Sequence, residues 1–290
     1  MASTTLASNT AIDLVEKPGL TKRKDSGSGI TEPQPQFQNC GNGLDPDQQS
    51  TERVPDSAAA KASIPNSPKA VDDQVRIVQL SEYKAAARCL AEAFESDSVG
   101  RYFVDTPGTK DWTPEQKWDL HLFMMECITY CHIAQGMVTT IGPDYGGVAL
   151  WMPPNSADMG LITFLRSGMW RLYYRLCREG RKRFFTEFMP LLHDIKAHTL
   201  GDRDASSWYL VYIGTKPAAR GKGYARKLVD HVTCRADRES RAMYLESSNF
   251  ANLPFYRRLG FKECRKLYLQ RSEEVIELDI MVREPTGKGE

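Results

Sequence analysis

The residue types best suited to chemistry gather between Trp208 and Ala225. Trp208 to Thr215 is an apolar, strand-like run, and Lys216-Pro217-Ala218-Ala219 turns away from it. Arg220-Gly221-Lys222-Gly223-Tyr224-Ala225 then leads into a helix-forming run from Arg226 to Glu239. A strand feeding a basic, glycine-rich turn that opens a helix collects unpaired backbone N–H groups and the positive helix end at one point. That is the geometry for gripping a pyrophosphate.

Three phosphate motifs compete for this turn. A P-loop needs four residues between its first glycine and Gly-Lys-Ser/Thr. Here six residues separate Gly214 from Gly221-Lys222, and Gly223 replaces the magnesium-binding hydroxyl. A dinucleotide fingerprint needs a third glycine where Arg226 stands, inside a βαβ unit. The third pattern is Arg-x-x-Gly-x-Ala (Arg220, Gly223, Ala225), entered through Gly214-Thr215-Lys216-Pro217. It resembles the acetyl-CoA-binding segment of the GCN5-related N-acetyltransferases, the GNAT superfamily.

A second block strengthens the resemblance. Leu245-Glu-Ser-Ser-Asn249-Phe-Ala-Asn252-Leu-Pro-Phe-Tyr256-Arg-Arg-Leu-Gly-Phe261 looks like the family's C-terminal strand, Asn-initiated helix and Tyr-x-x-x-Gly-Phe ending, in the family's order and spacing. Within the superfamily the chain is most similar to puromycin N-acetyltransferase-like members. They share the Asn-Leu-Pro-Phe-Tyr segment, a Trp151-Met-Pro-Pro154 hairpin ending and an Arg/Leu-rich helical insertion. The resemblance spans roughly residues 74–285.

The resemblance implies acetyl-CoA as co-substrate and no metal. Ile213, Gly214 and Thr215 would pair with pantetheine through their backbone. Arg220, Gly221, Lys222, Gly223, Tyr224 and Ala225 would hold the pyrophosphate. Asn249 would bond a pantetheine amide, with Asn252 either a second contact or a helix cap. Tyr256 stands where the family has its general acid, and a phenol near the sulfur can return a proton to the departing thiolate. Glu246, at the end of the neighbouring strand, is the first choice for general base; Glu95, Asp97, Asp105, Glu126 and His132 are alternatives. No cysteine falls at a key cofactor position, which favours direct attack in a ternary complex. The expected acceptor is the primary amine of a small molecule such as an antibiotic, toxin, xenobiotic or secondary-metabolite intermediate. The alternatives are a protein or peptide amine, or a non-catalytic acetyl-CoA-binding interaction module.

The elements that must position these residues follow from patterning. Residues 1–73 are rich in Ser, Thr, Pro, Gln, Asn and Gly, and Phe37 is their one aromatic residue, so this segment is expected to be a disordered tail. Residues 74–286 are expected to form one acetyltransferase domain. Val75–Leu80 reads as a strand and Glu82–Phe94 as an amphipathic helix. Ser96–Thr113 reads as a loop, and Thr113-Pro114-Glu115 starts a helix to about His132. A hairpin over 136–152 follows, then a helical insertion over 159–200. Leu161, Phe164, Leu165, Leu172 and Leu176 of the insertion are expected to share a buried face, with the arginines in water. After the cofactor strand and its helix come strands at 242–246, 261–269 and 275–282, with a short helix at 253–258. The order fits an α/β (α+β) fold with a mixed, mostly antiparallel sheet flanked by helices.

Composition narrows the rest. With 38 basic against 37 acidic residues, wholesale nucleic-acid or anionic-membrane binding is not expected. No apolar run is long enough for a membrane span, and no secretory signal is evident. The expected compartment is the cytoplasm, with nuclear access through Lys22-Arg23-Lys24 a weaker possibility. The seven scattered cysteines read as reduced thiols, and Cys127-x-x-x-Cys131 fits zinc spacing poorly.

Overall fold

Chain order begins with a minimal edge strand, β1 (Arg76–Ile77), in a computed structural model that describes residues 74–157, 160–271 and 274–287. The expected strand was longer. It is cut short because the Glu82 carboxylate accepts from the Gln79 amide at 2.7 Å and fixes a 3-10 turn at Leu80–Glu82. The same carboxylate pairs with Arg76 and accepts from the Tyr145 hydroxyl at 2.6 Å. The N-terminal tail reading concerns residues outside those described.

Helix α1 (Tyr83–Ala93) buries Ala86, Ala87, Cys89, Leu90 and Ala91, and helix α3 (Pro114–Gln135) starts at a Thr113 cap as the sequence indicates. Between them the expected loop contains a helix, α2 (Ser98–Val104). Its signal was Asp97, whose carboxylate accepts from the Val99 and Gly100 amides, an N-cap followed by an apolar run. Tyr102 and Phe103 are consequently core residues.

The sheet has seven strands in the order β1-β2-β3-β4-β5-β7-β6. They are β2 (Met137–Ile141), β3 (Gly147–Met152), β4 (Trp208–Thr215), β5 (Met243–Ser247), β6 (Lys262–Arg271) and β7 (Glu274–Arg283). Only β4 and β5 run parallel; the other neighbours are antiparallel. One face carries the larger apolar core with α1, α2 and α3. The other is covered by α8 (Tyr224–Arg238) and α9 (Leu253–Arg258). Arg283 locks the second layer to the sheet, donating to both Asp237 oxygens at 2.7 and 2.8 Å and to the Leu259 carbonyl.

The insertion departs from its expected pattern. It comprises α4 (Leu161–Arg166), α5 (Met169–Arg175), α6 (Arg178–Arg181), a π-helical stretch at Lys182–Phe188 and α7 (Met189–Leu200). Leu172 and Leu176 are buried, but Leu161 and Leu165 are exposed, as are Trp170, Tyr173 and Tyr174. Gly168, in the left-handed region at φ 81°, breaks the helix, so one 3.6-residue period does not run through. Arginines instead cover part of the exposed aromatic surface, Arg171 over Trp170 and Arg181 over Tyr173. Arg183 is buried, stacked on Tyr102 and donating to its carbonyl at 2.7 Å.

Candidate active site

The site begins where β4 and β5 part. Their pairing covers only Trp208–Leu210 against Met243–Leu245. Beyond it, β4 continues along β3 through Ile213, Gly214 and Thr215, while Glu246 and Ser247 pair with β7 alone. The gap leaves outward backbone groups of β4 without a strand partner on that side, which an extended ligand with amide groups can use.

A bulge sharpens the geometry. Leu150 of β3 pairs with Tyr212 and Trp151 with Leu210, so Val211 is the extra residue. The normal alternation is interrupted, and Val211 and Tyr212 both pack against the larger core. Gly214 permits close packing of α1 on β4: a Cβ there would lie 2.7 Å from the Ala93 Cβ and 3.1 Å from Leu90 Cδ2.

At the end of β4, Pro217–Ala219 forms a 3-10 turn, and the chain enters α8 through Arg220 to Gly223. Gly221 and Gly223 have φ of 79° and 75°, and a Cβ on either would meet nothing within 4 Å. The glycines are therefore required by backbone conformation, and the space around them is open. No side chain caps α8. Its first helical bond runs from the Lys227 amide to the Gly223 carbonyl, so the amides of Tyr224, Ala225 and Arg226 are not used within the helix. With Arg220 and Lys222 exposed beside them, this open cradle fits a pyrophosphate. Tyr224 differs from the rest: its side chain is buried in the second core against Gly142 and Gly146, so only its backbone remains available.

The cap expected of Asn252 is made by Asn249 instead. Asn249 Oδ1 accepts from the Ala251 amide at 2.9 Å and caps the 3-10 turn at Phe250–Asn252, whereas Asn252 precedes α9 without a side-chain cap bond. Both are exposed. Tyr256 is buried on α9 with its ring edge-on to Phe255 and Phe261, and burial pushes its phenol well above its ordinary value.

Glu246 is the most perturbed carboxyl at the split. Alternation along β5 puts it on the face of Tyr244, toward the larger core. Burial pushes its pKa up to about 7, against the nearby hydroxyls of Tyr209 and Tyr244 and the Lys196 ammonium, which pull it down. Glu246 is half-buried, and its Oε1, like Tyr244 Oη, is buried with no well-formed hydrogen bond. Tyr209 packs edge-on to Tyr244 and Tyr212 to Phe94. From α7, Lys196 lies over the Tyr209 ring and bonds Asp204. The insertion thus contributes the roof over Glu246, a role the sequence did not reveal because Tyr209, Tyr212, Tyr244 and Lys196 have no shared spacing.

Two of the alternative bases are engaged elsewhere. Asp97 caps α2 and accepts from Ser248 Oγ at 2.6 Å, and Asp105 pairs with Arg101 and Lys117. His132 Nδ1 contacts the Ile128 carbonyl, and burial lowers its pKa. Burial raises the Glu126 carboxyl out on α3, and Glu95 is exposed after α1. Cys127 and Cys131 are buried in the core face of α3. Among the described residues no group of three or more His, Cys, Asp or Glu converges for a metal, and no helix is long and apolar enough to cross a membrane.

Comparison with known proteins adds independent findings. The family model for the acetyltransferase (GNAT) domain matches residues 193–263. The chain is 44% identical over 209 residues to Uncharacterized N-acetyltransferase C550.08 of Schizosaccharomyces pombe, covering 72% of this chain and 82% of that protein. Among solved structures, a histone acetyltransferase HPA2 and related acetyltransferase from Corynebacterium glutamicum aligns with TM-score 0.47 and 22% identity, over 74% of this chain and 97% of that one. Arylalkylamine N-acetyltransferase 2 from Aedes aegypti aligns with TM-score 0.48 and 16% identity, over 73% and 99%.

Proposed function

Because the chain belongs to the GNAT N-acetyltransferases, we propose that it transfers the acetyl group of acetyl-CoA directly to the primary amine of a small molecule, with Glu246 as general base and Tyr256 as general acid. The observation that carries this reading is Glu246, half-buried at the β4–β5 split with a buried Oε1 that lacks a well-formed hydrogen bond, whose pKa of about 7 suits a base working near neutrality.

Acetyl-CoA supplies the thioester whose C–S bond breaks as the N–C bond to the amine forms. Arg220, Lys222 and the backbone from Gly221 to Ala225 hold its pyrophosphate. Ile213, Gly214 and Thr215 align its pantetheine along the open edge of β4, with Asn249 and Asn252 facing it from the other side. Glu246 accepts the proton shed by the attacking amine. Tyr256 donates its proton to the leaving sulfur, and its raised pKa keeps the phenol protonated at neutral pH.

Direct transfer is supported by Cys89, the cysteine that contacts the Gly214 carbonyl. Burial pushes this thiol up to about 12, so almost no thiolate exists at neutral pH to carry an acetyl group. A small acceptor is supported by the side chains of Tyr209, Tyr244 and the α7 Lys196 gathered around Glu246. The Trp151-Met152-Pro153-Pro154 ending and the Asn252–Phe261 segment are the residues on which a likeness to puromycin N-acetyltransferase-like members rests.

The test is acetyl-CoA-dependent thiol release over aminonucleosides, arylamines, polyamines and peptides. A small amine should be turned over, and Tyr256→Phe should reduce its kcat with little change in acetyl-CoA binding. Turnover restricted to peptides would reject the acceptor class, and unchanged kcat in Tyr256→Phe would reject the general acid.

A further inference from the structure

Helices α4 and α5 carry the largest group of exposed apolar side chains among the described residues. Leu161, Ile162 and Leu165 stand at i, i+1 and i+4 on one face of α4, and Leu161 is 73% exposed. Trp170, Tyr173 and Tyr174 stand at i, i+3 and i+4 on α5, and all three are exposed. The opposite side of α5 is the anchored one. Met169 and Leu172 are buried, and Arg175 lies over the Phe123 ring of α3 at 4.4 Å and pairs with Asp119. The turn between the two helices is fixed, because Ser167 Oγ donates to the Phe164 carbonyl at 3.1 Å and accepts from the Met169 amide at 3.3 Å. The apolar faces are thus held outward by the packing beneath them. Exposed apolar surface gathered in this way marks an interaction face.

Charge identifies what that face meets. From Leu161 to Arg178 the chain has four arginines and no acidic residue, a local excess hidden by the near balance of the whole chain. Asp119 takes Arg175. Arg166, Arg171 and Arg178 are exposed and Arg181 half-exposed, and among the described residues none of these four makes an ion pair. Arg171 lies over the Trp170 ring at 5.2 Å and Arg181 over the Tyr173 ring at 5.0 Å. A second copy docked face to face would set these arginines against their own images. Aliphatic side chains bordered by Trp and Tyr rings that carry guanidinium groups match a surface whose apolar interior lies beneath negative charge. A fluid bilayer takes up Leu161, Ile162 and Leu165 without a matching pocket, which favours it over an acidic protein.

We propose that the α4–α5 face docks the protein on an anionic lipid bilayer, lying along the interface without crossing it. Leu161, Ile162, Leu165 and Trp170 enter the boundary between headgroups and acyl chains, while the four unpaired arginines meet the charged headgroups. Neither the pyrophosphate turn nor Glu246 belongs to this face, so docking is independent of acetyl transfer.

The experiment compares vesicles of phosphatidylcholine alone with vesicles of equal parts phosphatidylcholine and phosphatidylserine, by cosedimentation of the full chain and by tryptophan fluorescence. The mixed vesicles should bind about tenfold or more tightly than the neutral ones at low salt, and high salt should erase most of that difference. Binding should shift the tryptophan emission to the blue, and Trp170→Phe should lose the shift. With Tm unchanged, Arg166→Gln and Arg171→Gln should each weaken binding to mixed vesicles about fivefold, and Ile162→Ser should weaken binding to both kinds of vesicle. Absence of binding to the mixed vesicles, equal binding to both kinds, or binding unmoved by the arginine substitutions overturns the proposal. A dimer seen by light scattering that Ile162→Ser dissociates would give the face to a second copy. Capture by polyglutamate without binding to vesicles would give it to an acidic protein. Either result refutes the lipid assignment.

Discussion

Glu246 makes a prediction that needs no substrate. Its carboxyl titrates near 7 in the folded chain against an ordinary 4.5. Above the unfolded value the folded state binds the proton more tightly, so stability contributed by this group declines as pH rises from about 4.5 through 7 and is flat beyond about 8. At 1.36 kcal/mol per pKa unit, the decline is on the order of 3 kcal/mol. Glu246→Gln cannot ionise and escapes it. Urea unfolding of both proteins between pH 5 and 8 should therefore show the variant gaining on the wild type by roughly that amount, with the change centred between 5 and 7. Taking the difference between the two proteins removes the contributions of His121, His132 and the other titrating groups. The same ionisation should appear in catalysis as a rise in rate toward a limb near pH 7, lost in Glu246→Gln with kcat reduced ~10²-fold or more. A stability difference that stays constant with pH would refute the burial argument. A wild-type kcat in the variant would refute the base.

Two further perturbations probe the frame of the site. Gly214→Ala should lower stability by about 1–3 kcal/mol, because its Cβ would meet the Ala93 Cβ at 2.7 Å and push α1 from β4; Gly223→Ala, with open space but φ at 75°, should cost about 1–2 kcal/mol and weaken acetyl-CoA binding more than it lowers Tm. Thermal melts beside acetyl-CoA titrations separate the two. At the far end of α8, burial raises the Asp237 carboxyl, but bonds from Arg283 and the Thr286 amide outweigh it and hold the value below normal. Asp237→Asn should destabilise the protein by about 3 kcal/mol by stranding the buried Arg283. The loss should shrink as pH falls through the carboxyl's range, and an undiminished loss in acid would refute the ion-pair account.

The proposed pyrophosphate turn was legible because its chemistry is local. Gly221 and Gly223 are needed for their own backbone angles, and the amides they expose come from the next few residues of one helix. The order and type of strands, and the helices α1, α3, α8 and α9, were likewise written in short periodic runs, with a side-chain cap at α3. Patterning failed at α2, where the Asp97 cap was overlooked, and in the insertion, where Gly168 divides a pattern that assumed one axis.

The sequence by itself determined the family blocks, the mostly antiparallel order of elements and which residues could grip a phosphate, since each depends on contacts a few residues apart. Tertiary structure alone decided how Glu246 comes to sit among Tyr209, Tyr244 and Lys196, and how the Val211 bulge turns Tyr212 to the same core. Those outcomes depend on burial and on groups brought together from separate strands and the insertion. No spacing along the chain encodes them.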